Sequence, residues 1–257
     1  PLAYSVASIG WRMTFAMVGA IMLLGALLVA VVVREDEADK AHASRAEGMA
    51  ESIAGVLEAI RAPSVWRLFL MHLVAYSSFA LIIALWGGPY LTHVYGYDLR
   101  GRGDVLLLSA LAQIAGVLTW GHADRLLRSY KIPVLCGSLA TAAAFGLAAA
   151  VGTFGPWQLI AWFVALGTIC AYTPVLIAHG KSLFEPRLVG RGISILNMGT
   201  MGGAFLTQTV SGFVMDLFPA EGGTYALAGY RTVFGMQAVL VLVACAAYLK
   251  ARDPWRS

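Results

Sequence analysis

Long apolar runs are the feature that most constrains what this chain can fold into. Seven segments of mostly apolar residues reach or nearly reach about 20 residues, and they lie at 13–33, 68–91, 104–121, 132–151, 157–178, 192–215 and 232–249, of which the third is short and needs its flanks. A helix needs about 20 such residues to cross a bilayer, and lone strands cannot satisfy their backbone groups in lipid. The pattern therefore predicts an all-α membrane protein, a polytopic helical bundle that lies in the lipid bilayer.

Composition supports a membrane location. Only 12% of the residues are charged and 59% are hydrophobic, whereas soluble domains carry about 25% charged residues. The net charge of +4 comes from short clusters between the apolar runs, so we predict no nucleic-acid partner. Cys136, Cys170 and Cys245 lie inside apolar runs at spacings that fit neither a disulfide framework nor a metal site. We predict no metal site and no cofactor.

The distribution of basic residues predicts the orientation. Fourteen of the 18 lysines and arginines fall in one alternating set of connections, and the remaining four fall in the other set. Cytoplasmic loops carry an excess of basic residues, so the richer set is predicted to be cytoplasmic. The N-terminus is then outside and the C-terminus cytoplasmic, and a bacterial inner membrane is the expected location.

The longest connection, 34–66, has two parts. It opens with a charged linker, "REDEADKAHASRAEG", and continues with "MAESIAGVLEAI". The second part places apolar residues at helical spacing and predicts a short amphipathic helix on the cytoplasmic membrane face; these residues are Met49, Ile53, Val56, Leu57 and Ile60. The predicted parts of the chain are a first span within 1–33, the connection 34–66, a six-helix unit at 67–250 and a tail at 251–257.

A charge cluster lies in "GHADRLLRSYK" at 121–131, between two apolar runs. In one interpretation its cations only fix the topology of the loop. In the other, Asp124 forms a charge-assisted network with Arg125 and Arg128 that holds one of two conformational states. The loop contains no nucleophile with an adjacent base, so we predict that the chain is not an enzyme.

Three stretches carry a family resemblance: 34–66, 121–131, and "FEPRLVGRGISILNMGTMGGAFLTQTVSGFVMD" at 184–216. They resemble, in turn, the central loop, the second copy of the loop signature Gly-x-x-x-Asp-Arg-x-Gly-Arg-Arg, and the eleventh helix of the major facilitator superfamily. Asp124, Arg125 and Arg128 are in register with the signature. The other positions of the signature differ. Its first Gly is replaced by Trp120, its second Gly by Leu127 and its final base by Ser129.

The resemblance implies a secondary active transporter. The seven segments would be helices six to twelve of a twelve-helix bundle, and the other five helices of the N-terminal half would lie outside this sequence. Such a protein moves a small solute by alternating access, driven by an ion or solute gradient, with a co-transported proton or other ion as a second partner. Asp124, Arg125 and Arg128 would then form a gating loop. A passive channel and a seven-helix receptor are the alternatives.

The resemblance also assigns the substrate cavity to the seventh, eighth, tenth and eleventh helices. Polar side chains within membrane helices mark either helix–helix contacts or a solute pathway. On the four helices we select Tyr76, Gln113, Tyr172 and Asn197 as candidate cavity residues. His72 can titrate and is the candidate coupling residue.

Small residues and prolines predict two further local features. Gly199 and Gly203 form a GxxxG pattern, which favours close helix packing. The stretch Gly87-Gly88-Pro89 is predicted to break its helix at the outer end, either as simple termination or as a flexible gate.

Overall fold

The computed structural model describes residues 2–32, 48–62 and 64–255. These residues fall into two compact units, one ending at Ala54 and the other beginning at Gly55. Within the described ranges the helices are α1 (Leu2–Val32), α2 (Met49–Arg61), α3 (Val65–Tyr95), α4 (Leu99–Trp120), α5 (Ala123–Leu127), α6 (Lys131–Val151), α7 (Pro156–Ser182), α8 (Val189–Asp216) and α9 (Leu227–Tyr248).

The first unit contains α1, which is interrupted once. Gly10 has φ 78° and ψ 161°, so the helix is broken there into 2–9 and 11–32. The Thr14 hydroxyl donates a 2.9 Å hydrogen bond to the Gly10 carbonyl and satisfies that acceptor. The longer piece contains residues 13–32 of the first predicted span.

All seven predicted segments are helices, but α8 differs from the others. Among the described residues, six helices are both long and apolar enough to cross a membrane, namely α1, α3, α4, α6, α7 and α9. At 28 residues, or about 42 Å, α8 is long enough but less apolar. Its polar side chains, among them Asn197, Thr200 and Gln208, are the reason.

The prediction that Gly87-Gly88-Pro89 breaks its helix was wrong. The helix continues to Tyr95, because a π-helical segment at Leu81–Trp86 precedes the proline. In this segment the N–H of Gly87 bonds to the carbonyl of Ile82, five residues earlier, and such widened turns accommodate a residue that cannot donate. A Cβ on Gly87 would lie 2.4 Å from the Ile82 oxygen, so the segment requires glycine there.

The second unit is a bundle with two distinct ends. We call one the basic end, because Arg67 donates to the Lys250 carbonyl there and Lys131 donates to the Leu249 carbonyl. We call the other the aromatic end, because the rings of Tyr90, Tyr95 and Tyr230 cluster there. Helix α3 packs along α8 and α9, α4 along α7, and α6 along α9. Each end has its own apolar core.

Helix α2 confirms the predicted helix in "MAESIAGVLEAI", and the charged linker before it lies outside the described residues. The apolar side chains of Met49, Ile53 and Leu57 are exposed. Gly55 and Ala59 form the buried side, which lets α2 approach the basic end closely.

Candidate functional site

The four candidate cavity residues occupy different environments. Tyr172 on α7 is completely buried, and Gln113 on α4 is half-buried. Tyr76 on α3 is 42% exposed, and Asn197 on α8 is also exposed. One pair therefore belongs to the interior of the bundle and the other pair to its surface.

The packing of α3 on α8 fixes the depth of the two exposed residues. Gly199 lies against Phe69, and Gly203 lies against Leu73, so the two helices run in parallel with a constant offset. This register sets Asn197 level with Arg67 at the basic end, nine residues or about 14 Å from the level of Tyr76. Asn197 and Tyr76 therefore line different depths of the same helix pair.

The glycines are what permit this close approach. A Cβ at Gly203 would lie 2.0 Å from the Leu73 oxygen, and one at Gly199 would lie 3.0 Å from the Phe69 ring. A side chain at Gly203 would thus overlap the backbone of α3, which cannot move aside as a flexible side chain could.

Three buried polar atoms on the predicted cavity helices have no hydrogen-bond partner among the described residues. They are Nε2 of His72 on α3, Oε1 of Gln113 on α4 and the hydroxyl of Tyr172 on α7. Buried polar atoms in folded proteins are nearly always satisfied, so each is available to a ligand, a water molecule or another side chain. Oε1 of Gln237 on α9 shares this property, although its Nε2 donates to Ser78 at 2.8 Å.

His72, the candidate coupling residue, joins α3 to α8. It is 2% exposed, and its Nδ1 lies 3.1 Å from Oγ1 of Thr200. The Thr200 hydroxyl also donates to the Leu196 carbonyl at 3.4 Å. When that bond is made, the proton of the imidazole is on Nδ1, and Nε2 is a bare acceptor facing the interior.

A second buried histidine, His179, was not selected from the sequence. Its Nε2 donates to the Arg252 carbonyl at 2.7 Å, because a carbonyl only accepts, and its Nδ1 then accepts from the Tyr248 hydroxyl at 2.7 Å. Its ring stacks on Tyr130 at 5.4 Å with an interplanar angle of 6°. His179 therefore has both nitrogens satisfied and ties α7 to α9 and the tail.

The loop at 121–131 contains the short helix α5 and an unusual turn. Arg128 ends this helix with φ 44° and ψ 49°, so the left-handed position falls one residue after the place where the signature has glycine. Left-handed geometry is about 1–2 kcal/mol less favourable for a non-glycine residue. Arg128, and not Leu127, therefore adopts the left-handed conformation of the turn.

The expected network of Asp124 with its own loop arginines is not formed. In the described part of the chain no ion pair joins Asp124 to Arg125 or Arg128. Residues at i and i+1 on a helix point to different faces, and the left-handed turn takes Arg128 out of helical register. Oδ1 of Asp124 is buried and has no hydrogen-bond partner within the ranges that the structure describes, whereas both arginines are exposed.

Ser129, which replaces the final base of the signature, contacts the C-terminal tail. Its hydroxyl donates to Oδ2 of Asp253 at 2.5 Å and accepts from the backbone N–H of Ile132 at 3.1 Å. The Asp253 carboxylate also accepts from the backbone N–H groups of Tyr130 and Lys131. An anion at the N-terminus of α6 is favourable, because unpaired N–H groups and the helix dipole point at it.

Asp253 lies outside the membrane helices, and opposing effects act on its pKa. Burial raises the pKa of Asp253, but the hydrogen bonds from Ser129 and from the backbone of Trp255, Lys131 and Tyr130 outweigh burial. The pKa is therefore below its ordinary value, and the carboxylate is charged at neutral pH.

Comparison with known proteins identifies the family. The model of the family described as Major Facilitator Superfamily matches residues 1–165 and 68–257. A search of curated proteins gave no match to this chain. The two family matches overlap and together cover every position. Together with the six apolar helices of spanning length, they show that this is a multi-pass membrane transporter that belongs to the major facilitator superfamily.

Proposed function

We propose that this protein moves a small solute across the membrane by alternating access, driven by an ion or solute gradient. The observation that carries the proposal is the nature of α8. This helix has spanning length but is less apolar than the six helices that qualify as spans, and it exposes Asn197 while packing its glycines on α3. We propose that the exposed amide of Asn197, level with Arg67, lines the mouth of a water-filled or solute-filled path at the basic end.

The unpartnered buried groups support the same assignment. His72, Gln113 and Tyr172 lie on α3, α4 and α7, and each presents a polar atom with no partner. We propose that Asn197 and Tyr76 contact the solute at different depths, and that Gln113 and Tyr172 become accessible in one of the two states. A static helix bundle would leave these groups unsatisfied, whereas a two-state bundle gives them partners in the other state.

Further parts of the proposal concern orientation and gating. The basic end is assigned to the cytoplasm from the distribution of lysines and arginines. The buried, unpartnered oxygen of Asp124 is proposed to receive a donor from outside its own loop in one state, and this contact would act as the latch. His72 is proposed to take up the coupling proton at its free Nε2.

The test is transport by the protein reconstituted in vesicles. A panel of radiolabelled small solutes would be offered with an imposed pH gradient, a sodium gradient or neither. We expect one solute to accumulate above its external concentration only with a gradient, and a matching ionophore to abolish the accumulation. Flux that equilibrates the solute without regard to any gradient would contradict the proposal in favour of a channel.

Cysteine accessibility tests the path independently of the solute. With the native cysteines replaced, Asn197→Cys is expected to react with a water-soluble maleimide, because Asn197 lines an aqueous path. Val239→Cys is the control, since Val239 is 58% exposed on the apolar helix α9. Equal rates of reaction with the maleimide at the two positions would contradict the proposal that α8 lines an aqueous path.

A further inference from the structure

An apolar groove runs between α3, α8 and α9 and opens between the last two helices. Its volume is about 370 Å³. The walls include Leu73 and Val74 on α3, Leu206 and Val210 on α8, and Leu240 and Val243 on α9. Leu206 and Val243 are more than half exposed, so the groove is accessible from the side of the bundle.

Basic and aromatic side chains lie at one end of this groove. On α3, Arg67 lies one turn before Leu70 of the lining, and on α9, Lys250 lies two turns after Val243. Arg67 donates to the Lys250 carbonyl at 2.7 Å, which holds the two residues together. The Lys250 side chain is exposed, and the guanidinium of Arg67 has further N–H donors.

A second hollow lies beside Arg67. It has a volume of about 340 Å³ and is lined in part by Ser64, Trp66 and Arg67. Trp66 is 56% exposed, as expected for an aromatic residue at the membrane–water interface. The nearest carboxylate of the tail, Asp253, is bonded to Ser129 and α6 instead.

The groove and the cations beyond its end together match one leaflet of a bilayer in length. Met236 of the lining precedes Lys250 by 14 residues, which is about 21 Å along a helix. Half of a bilayer with its headgroup layer is about 20–22 Å thick. The lining on α9 covers about 12 Å of this length, from Met236 to Ala244, and an apolar slot followed by cations over this total length is complementary to a single phospholipid molecule.

We propose that this groove binds an anionic phospholipid, with an acyl chain between α8 and α9 and the phosphate at Arg67 and Lys250. The site is separate from the four candidate cavity residues, and it does not depend on the proposed transport mechanism. A juxtamembrane cation interacts with an anionic headgroup by about 1 kcal/mol, so each base contributes about fivefold to headgroup preference.

The test uses native mass spectrometry of the delipidated protein in detergent. The probe is an equimolar mixture of dioleoylphosphatidylglycerol and dioleoylphosphatidylcholine, which differ only in the headgroup. We expect one retained phosphatidylglycerol per chain, preferred about fivefold or more over phosphatidylcholine. Equal retention of the two lipids, or retention of neither, would overturn the proposal.

Two pairs of variants separate the acyl and headgroup parts of the site. Val243→Trp fills the groove from an exposed position and is expected to abolish retention. Val239→Trp, of similar exposure on the same helix but outside the lining, is expected to keep it. Lys250→Gln is expected to lower the preference for phosphatidylglycerol about fivefold, whereas Lys181→Gln, which removes an equally exposed charge, leaves it unchanged.

Several outcomes of these variants would count against the site. If both tryptophan variants retain lipid equally, the groove is not where the acyl chain binds. If both glutamine variants behave like the unmodified protein, the phosphate is not at Lys250. If the unmodified protein is a dimer that only Val243→Trp dissociates, the groove is occupied by a second copy and the lipid assignment is wrong.

Discussion

The Ser129 hydroxyl donates a 2.5 Å hydrogen bond to Oδ2 of Asp253, 124 residues further along the chain. This bond connects the loop before α6 to the tail after α9. The tail is held at two more points, since the Arg252 N–H donates to Ser64 and the Arg252 carbonyl accepts from His179. The C-terminal segment thus fastens α3, α6 and α7 together at the basic end.

The first prediction concerns removal of this carboxylate. Asp253→Asn is expected to lower the free energy of unfolding by about 1 kcal/mol, because it removes the negative charge that faces the helix N-terminus and replaces one acceptor oxygen with an amide donor. Backbone amide exchange at Tyr130 and Lys131 should become faster. Asp104→Asn, at an exposed carboxylate, is the control and should change neither quantity.

The same contact should make stability depend on pH. The pKa of Asp253 is below its ordinary value of 3.8, so its contribution to stability is fully present above that value. The contribution is lost as the pH falls through the lower pKa of the folded state. The difference in unfolding temperature between the unmodified protein and Asp253→Asn should therefore shrink in acid, and a difference that grows in acid would contradict the assignment.

The second prediction compares adjacent glycines of α8. Gly203→Ala would place a Cβ 2.0 Å from the Leu73 carbonyl oxygen, whereas Gly202→Ala meets nothing within 4 Å. We expect Gly203→Ala to destabilise the protein by about 1–3 kcal/mol through overpacking. Gly202→Ala should stabilise it by up to about 1 kcal/mol through helix propensity. Thermal unfolding in detergent measures both, and equal effects would show that α8 does not depend on this contact.

The membrane helices could be predicted from sequence because their signal is local. Twenty apolar residues in a row have one stable conformation in lipid, so α6 and α9 were located to within a few residues of their ends. The continuation of α3 beyond Pro89 could not be predicted in this way. It depends on a π-helical segment at Leu81–Trp86, which no residue type marks by itself.

The buried polar contacts were harder to predict because they join residues far apart in sequence. His72 could be selected as a lone titratable group on an apolar helix, but its partner Thr200 is 128 residues away. His179 has the same chemistry, yet it lies next to Lys181 near a helix end and gave no distinct signal. The contact of Ser129 with Asp253 could not be predicted either, because a serine in place of a basic residue of the signature indicates only that a positive charge is lost.

The third prediction concerns the ion pair that holds α2. Arg187 forms a two-pronged contact with the Glu58 carboxylate and also bonds to Glu185 at 3.1 Å. The hydrogen bond from Arg187 and the charge of Arg187 lower the pKa of Glu58, although desolvation opposes them. Arg187→Gln is expected to speed amide exchange in α2. Glu185→Gln, which keeps the contact with Glu58, should have a much smaller effect.

High salt and low pH should each speed amide exchange in α2, as Arg187→Gln does. Both groups of the pair are exposed, so high salt screens their attraction. Because the pKa of Glu58 is lowered in the folded protein, the contact is complete above the ordinary carboxylate pKa and is lost as the pH falls through the lower value. If the rate of amide exchange in α2 depends on neither salt nor pH, the packing of Gly55 and Ala59 alone holds the helix.

The fourth prediction separates stability from transport with two buried tyrosines of the same core. The Tyr248 hydroxyl bonds to His179, whereas the Tyr172 hydroxyl has no partner in the described part of the chain. Tyr248→Phe leaves a buried nitrogen of His179 unsatisfied and should destabilise the protein by about 1–3 kcal/mol. Tyr172→Phe removes an unsatisfied group and should leave the unfolding temperature unchanged or raise it.

Transport then decides whether the Tyr172 hydroxyl has a functional partner. If it contacts the solute or a coupling water in one state, Tyr172→Phe should lower the rate of gradient-driven uptake while the protein remains as stable as before. A variant that is equally stable and equally active would assign Tyr172 to packing against Gly137 and Trp120, which its ring already contacts. Because a purely structural hydroxyl is seldom left unpaired in a core, we expect the loss of activity.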